Sequence, residues 1–440
     1  MNPGMITVLF FVAAIAPLVA GFPIAFGLLF VSMVFGYFFW SPASLSLAAS
    51  TAWASMGNDI ILAAPLFIFM ANMLAKSGVA ENLYEVMHRW MGPLRGGLAM
   101  GTIVICAIFS AMTGISAAAT VTMGLISLPA MLKRNYHHSL AVGPISAGGA
   151  LGILIPPSVI LIVYGLIASE SVGQLFAAGV IPGFLLSAMF ITYIAIRAFF
   201  QPSLAPALPA EERYSWKDKV ISLKGVILPV LLVLAVLGSI FWGITTITEA
   251  AAVGAFGSAV CAVINHKFTW ESFKSTNYKT IQLTTMVMWL IFASSLFSNI
   301  YSSIGTTEFV FDFLLGMNLG RWGVMFIMQL SFFVFGCFLD PVGIITILGP
   351  LYCPIATALG FDLVWFGILF VINMEMAYLT PPFGYNLFYM KAVAPKSITL
   401  QNIYKDVLPF LFIQAICLII TIIFPQIALW LPGQLIHKIG

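Results

Sequence analysis

The stretch Ala147-Gly148-Gly149-Ala150-Leu151-Gly152-Ile153-Leu154-Ile155-Pro156-Pro157-Ser158 sets a diproline inside a long apolar run. Apolar sequence flanks it from Leu140 to Ile155 and from Val159 to Ala168, together long enough to cross a bilayer. Each proline removes a backbone donor, and Pro157 drives Pro156 out of helical geometry. Two half-helices with an unwound joint at mid-membrane are therefore predicted. Irregular backbone at that depth is tolerated only where protein packs around it or a polar cavity adjoins it. The joint is either a packing kink or part of an ion or substrate site, and a second copy of the motif decides between them.

That copy is Pro381-Pro382. At a constant offset of 225 residues Gly124 falls on Gly349, Pro129 on Pro354, Pro156 on Pro381, Pro157 on Pro382 and Tyr164 on Tyr389. Before each broken helix stand two apolar pieces short for a full span: 101–110 and 117–131 around a tip at 111–116, then 322–336 and 342–358 around Asp340. Such pairs predict re-entrant hairpins. Matching interruptions in two halves of a chain point to a transporter site at a repeat interface.

Composition sets the solvent. Of 440 residues, 61% are hydrophobic and 8% charged, against about 25% charged in a soluble domain. The expected fold class is an all-α polytopic membrane protein, because apolar runs recur throughout and ten-residue alternating strands are absent. Full-length helices are predicted at 5–20, 24–40, 60–75, 172–199, 225–243, 247–265, 281–302 and 407–432. Amphipathic arms are predicted at 81–95 and 307–320. Residues 41–57 read as a polar loop, 201–224 as the polar connection between halves, 266–279 as a basic segment and 391–405 as a basic amphipathic turn. No basic n-region or cleavage site precedes residues 5–20, which are expected to be retained. Cys106, Cys261, Cys337, Cys353 and Cys417 fit neither a metal site nor a disulfide framework. With a net charge of +3, no nucleic-acid partner is expected.

Lys and Arg set the orientation. With Lys133-Arg134 cytoplasmic, counting spans puts Lys76, Arg89, Arg95, Arg197 and the three basic connections on the same side. Only Arg321 and Lys438, of 18 cations, fall outside. The hairpins then enter from opposite faces, the repeats are inverted, and both termini are periplasmic if the membrane is a bacterial inner membrane.

Hard cations such as Na+ take several oxygen ligands, which unwound backbone, hydroxyls and carboxylates supply. The candidates of the first half are Ser110, Thr113, Gly114 and Ser116 at the tip, facing Gly148, Gly149, Ile155, Pro156 and Ser158. Those of the second are Gly336, Asp340, Gly343 and Thr346, with Thr380, Gly384 and Asn386 around the diproline. An ionisable group at membrane depth marks function, which singles out Asp340. Glu375 reads as a ligand, a proton-linked group or a paired structural charge. Glu249, after Thr245, Thr246 and Thr248, reads as a capping residue, and His137 and His138 as surface residues. No catalytic constellation or nucleotide-binding motif appears, so neither an enzyme nor direct ATP drive is expected.

These segments resemble the large membrane subunit of tripartite ATP-independent periplasmic (TRAP) transporters. The carrying residues are Gly21-Phe22-Pro23-Ile24-Ala25-Phe26, Gly148 to Ser158, Thr248-Glu249-Ala250-Ala251-Ala252-Val253-Gly254 and Leu379-Thr380-Pro381-Pro382-Phe383-Gly384-Tyr385-Asn386-Leu387-Phe388. The resemblance implies an elevator-type carrier in which a transport domain of hairpins and broken helices moves against a scaffold. Transport elements would be 99–170 and 321–392, and scaffold 1–98, 171–320 and 393–440. It further implies Na+ coupling with no organic cofactor, a separate small four-helix membrane subunit and a periplasmic substrate-binding protein. The substrate implied is an organic acid such as a C4-dicarboxylate or a sialic acid. One Na+ site would lie at the Ser116 tip and first diproline, another at the Asp340 tip and second diproline. The substrate would sit between them, met by Ser116, Ser158, Thr380 and Asn386. A stand-alone Na+/anion symporter of related architecture is the alternative.

Overall fold

The computed structural model describes residues 3–57, 59–316 and 319–439. The expected positions of the chain ends, and residues 317 and 318 of the second arm, fall outside them. Helices dominate, and the described residues contain no strand.

Both hairpins and both broken helices are present. The first hairpin is Gly97–Thr113 and Ser116–Lys133, the second Gly320–Gly336 and Pro341–Ala358. The first broken helix runs Ser139–Ala150, one 3-10 turn Leu151–Ile153, an unwound joint, then Val159–Ala168. The second runs Leu363–Tyr378 and resumes at Tyr385–Val393. Every residue from Leu140 to Gly165 is buried, so the opening stretch forms the axis of the core.

The broken helices run antiparallel. The Tyr164 hydroxyl near the end of the first donates to the Leu363 carbonyl at the start of the second (2.6 Å). At the other end, Asn386 Nδ2 donates to the Ser146 carbonyl (3.1 Å). Lys224–Phe241, Ile247–Ile264 and Trp270–Ser303 intervene in alternating directions, so the second hairpin starts from the face opposite the first. The repeats are inverted.

The loops rich in Lys and Arg gather on one face. Arg134 Nη2 lies 3.4 Å from Glu212 Oε2. Trp90 Nε1 donates to the Lys219 carbonyl (3.0 Å), and His137 N–H to that of Leu204 (2.8 Å). Lys76 bonds Ser275, and Asn82 bonds Asn265.

Four boundaries differ from expectation. Residues expected as a polar loop include the helix Ser44–Met56, whose Ser/Ala composition is weakly hydropathic but helix-competent. The basic segment is continuous with the next span: Thr269 caps Trp270–Ser303 reciprocally with Ser272, starting the helix eleven residues earlier. The 201–224 connection holds a short helix, Trp216–Ser222, capped by Ser215. The last helix is two, Leu400–Ile423 and Gln426–Ile439, split at Pro425.

Packing sorts the helices into two groups. Pro3–Val19, Ile24–Phe35, Asp59–Leu74, Ile247–Ile264 and Trp270–Ser303 pack mainly among themselves, with Trp270–Ser303 also meeting the second hairpin and Asp59–Leu74 the first hairpin and first broken helix. Val172–Phe200, Leu400–Ile423 and Gln426–Ile439, expected with the scaffold, pack instead on the hairpins and broken helices. Phe190 and Tyr193 meet Phe410 with ring centroids 5.4 and 5.2 Å apart, and Phe410 closes on Gly143 of the first broken helix.

Candidate functional site

The first tip is only two residues long. Gly114 (φ +62°) ends one arm with its N–H on the Ser110 carbonyl (3.0 Å), and extended Ile115 starts the other. The expected six-residue interruption is shorter because Ala111, Met112 and Thr113 continue the helix. Gly114 touches the diproline directly: a Cβ there would lie 1.9 Å from the Pro157 carbonyl oxygen. Among the described residues the carbonyls of Ile155, Pro156 and Pro157 accept no hydrogen bond. Ser158 is occupied as a cap, donating to the Ile153 carbonyl (2.6 Å) and accepting from Leu161 N–H. Thr113 donates to its own helix at Phe109 (2.9 Å).

Ser110 Oγ is fully buried with no partner. So are Thr120 Oγ1 and Ser146 Oγ, which the sequence reading missed. Thr120 stands one turn beyond Ser116 on the same helix face and presses on Gly149, whose Cβ would lie 1.9 Å from Thr120 Oγ1. Gly148 is held against Cys106, at 3.0 Å from a built Cβ. Orphaned hydroxyls and free carbonyls are the donor types that suit a hard cation.

At the second tip Asp340 caps Pro341–Ala358, its Oδ1 accepting from Val342 (3.0 Å) and Gly343 (3.1 Å) N–H. Both bonds use one oxygen, and Oδ2 stands beside Gly343. Thr346 donates to the Gly343 carbonyl (2.8 Å), and its own carbonyl accepts from Ser294 of the neighbouring group of helices (2.7 Å). Gly336 is pressed against Ala377, and Thr380 donates to Met376 (2.7 Å). Gly384 (φ +47°) opens Tyr385–Val393. The joints differ in access: Pro156-Pro157 is buried, whereas Pro381, Pro382 and Phe383 are exposed. Among the described residues no group of three His, Cys, Asp or Glu side chains forms a metal centre.

Asn386, assigned by sequence to the second site, faces the first. Its Oδ1 accepts from the Ser116 hydroxyl (2.6 Å) while Nδ2 reaches the Ser146 carbonyl, so it binds the two repeats together. Of the four residues expected to meet substrate, Ser116 and Asn386 are joined, and Ser158 and Thr380 are each bonded within their own segment.

Four helices begin at the two tips and the two joints, each pointing the positive end of its dipole there. Asp340 and Ser158 cap two of them. The other two, at Ser116 and Tyr385, have no side-chain cap, and these are the two linked by the Ser116–Asn386 bond. First-turn N–H groups and dipoles of this kind can meet an anion without an arginine.

A sequence model of the family described as "Tripartite ATP-independent periplasmic transporter, DctM component" matches residues 11–427. The chain is 34% identical to the C4-dicarboxylate TRAP transporter large permease protein DctM of Vibrio cholerae, over 98% of each chain. It is 32% identical to the protein of that name from Pseudomonas aeruginosa, over 90% of this chain and 91% of that one. The sialic acid TRAP transporter large permease protein SiaM of V. cholerae is 28% identical over 94% and 96%. Among solved structures the Alcanivorax borkumensis YdaH transporter shares the fold, with TM-score 0.61 at 14% identity over 97% of this chain and 100% of that one.

Proposed function

The chain belongs to the DctM component family of tripartite ATP-independent periplasmic transporters, a family of secondary-transport permeases of the inner membrane, and from that premise we propose that it is the substrate-carrying subunit of a Na+-coupled importer of a small organic acid. The pairing of two uncapped helix N-termini through Ser116 and Asn386 carries the reading, because it supplies a dry, electropositive seat for a carboxylate. Relatives named for C4-dicarboxylates are 30–34% identical to this chain, those named for isethionate and ectoine 29–30% and that named for sialic acid 28%; the relatives at 34% and 32% support a C4-dicarboxylate.

In the proposed mechanism a bound Na+ supplies positive charge that offsets the anion. Ser110, Thr120, Ser146 and the joint carbonyls hold it at the first tip, and Asp340 at the second. Gly114 keeps the first tip closed on its joint. The exposed Pro381 to Phe383 segment is where exchange with water begins. The hairpins, broken helices, Val172–Phe200 and Leu400–Ile439 move as one body against the remaining helices, an elevator motion that must break the Ser294–Thr346 bond. The family implies a small membrane subunit and a periplasmic binding protein. The Lys/Arg-rich face is the cytoplasmic one in this reading.

The test is uptake of labelled succinate and of sialic acid into proteoliposomes holding this chain and its small subunit. Binding protein and a Na+ gradient are each supplied or withheld. Uptake that persists without Na+ refutes the coupling, and uptake that persists without binding protein converts the assignment to a stand-alone symporter.

A further inference from the structure

Glu375 lies outside both tips and has no part in the mechanism above. It is fully buried, and neither carboxyl oxygen has a hydrogen-bond partner. Helical periodicity puts it across its helix from Asn373 and Ala377, which face the second hairpin. Glu375 therefore points toward Leu400–Ile423, whose buried stripe includes Phe410, Gln414, Cys417 and Thr421. Trp365 Nε1 donates to the Thr421 carbonyl (2.9 Å), which fixes the antiparallel register and brings Glu375 level with the Gln414 turn. Gln414 is also fully buried, and neither its Nε2 nor its Oε1 has a partner.

From the elements packed on this helix, Cys417 is the titratable group facing Glu375 among the described residues. Among the described side chains the cations on those elements are directed elsewhere, with Lys405 exposed. Arg321 lies over Trp322 and Phe361, Lys391 donates to the Ile398 carbonyl, and Arg197 is in the last turn of its helix. Asp340 is held at its tip and Asp406 by His138. An ionised carboxylate here would be an uncompensated buried charge, whereas a protonated carboxyl and a primary amide are complementary in donor and acceptor.

We propose that Glu375 and Gln414 form a membrane-embedded proton-binding site, separate from the tip sites, that holds one proton on the Glu375 carboxyl. Side-chain rotation closes the pair: the carboxyl O–H donates to Gln414 Oε1 and Gln414 Nε2 donates to the carboxyl C=O. Loss of the proton to water breaks it.

The test is infrared spectroscopy and pH-dependent melting of the full chain with its small subunit, so its outcome is independent of whether transport needs Na+. Wild type should show the carbonyl stretch of a protonated acid at neutral pH, absent in Glu375→Gln and displaced in Gln414→Leu. As pH rises above about 4.3, the ordinary value of a glutamate carboxyl, the folded-to-unfolded ratio of wild type should fall by up to about tenfold per pH unit, and Glu375→Gln should lack that slope. Spectra of wild type and Glu375→Gln with no difference in that band would overturn the proposal. If Glu375→Gln does not fold, Gln414→Leu decides: an unshifted band refutes the pairing.

Discussion

Gly114→Ala is the sharpest probe of the first tip. The new Cβ would lie 1.9 Å from the Pro157 carbonyl oxygen and 2.9 Å from its carbon. Carbon–oxygen contacts normally begin near about 3.3 Å, so tip and joint must separate by about 1.4 Å. Overpacking of this kind costs about 1–3 kcal/mol. The left-handed backbone, with φ +62°, adds about 1 kcal/mol for a residue with a Cβ. If assembling the ion site must overcome that sum of about 2–4 kcal/mol, Na+ affinity falls roughly 30- to 700-fold at about 1.4 kcal/mol per decade. The assay is a Na+ titration of uptake in proteoliposomes, paired with the Na+-induced rise in melting temperature. Gly316→Ala is the control, since a Cβ at Gly316 meets nothing within 4 Å. A Gly114→Ala protein that folds normally and needs no more Na+ than wild type would refute the contact between tip and joint as an ion site.

Three further substitutions separate the remaining roles. Asp340→Asn keeps a competent cap, so melting should move by less than about 1 kcal/mol in stability while the Na+ response of uptake is lost; retained Na+ dependence removes Asp340 from the site. Asn386→Leu strips the Ser116 hydroxyl and the Ser146 carbonyl of their partner, at about 1–3 kcal/mol each. Substrate KM should rise far more than the Na+ requirement, and an unchanged KM would argue against the paired N-termini as the anion seat. On the amphipathic arm Val79–Met91, burial first and then Arg134 lower the affinity of His88 for protons. The unfolded chain therefore binds more protons below pH of about 6.5, and stability falls as pH drops through that value. His88→Leu should remove this acid limb in melting curves; an identical acid limb in the variant would assign it elsewhere.

The hairpins and broken helices were legible because each rests on a local cause. Two prolines unwind a helix wherever it packs, and the offset of 225 residues ties both copies to one duplication. Asp340 before Pro341 is likewise a helix start readable from residue type alone. What escaped depends on long-range crossing. Asn386 follows the second diproline in sequence, yet its partner Ser116 lies 270 residues away, and no periodicity reveals which tip it faces. Thr120 and Ser146 had a faint signal, a hydroxyl one turn from a candidate residue on a helix rich in small side chains. That hint gains meaning only once the two helices are seen to touch. Val172–Phe200 reads as an ordinary span, and only packing shows that it belongs with the hairpins.

The Ser116–Asn386–Ser146 link has a consequence for inheritance as well as for motion. A hydroxyl from one repeat and a carbonyl from its broken helix both close on an amide of the other repeat, so neither half satisfies its own polar groups. In effect the chain is an obligate dimer written on a single polypeptide. Severed at the 201–224 connection, its halves should recover function only when they are made together and allowed to fold around each other.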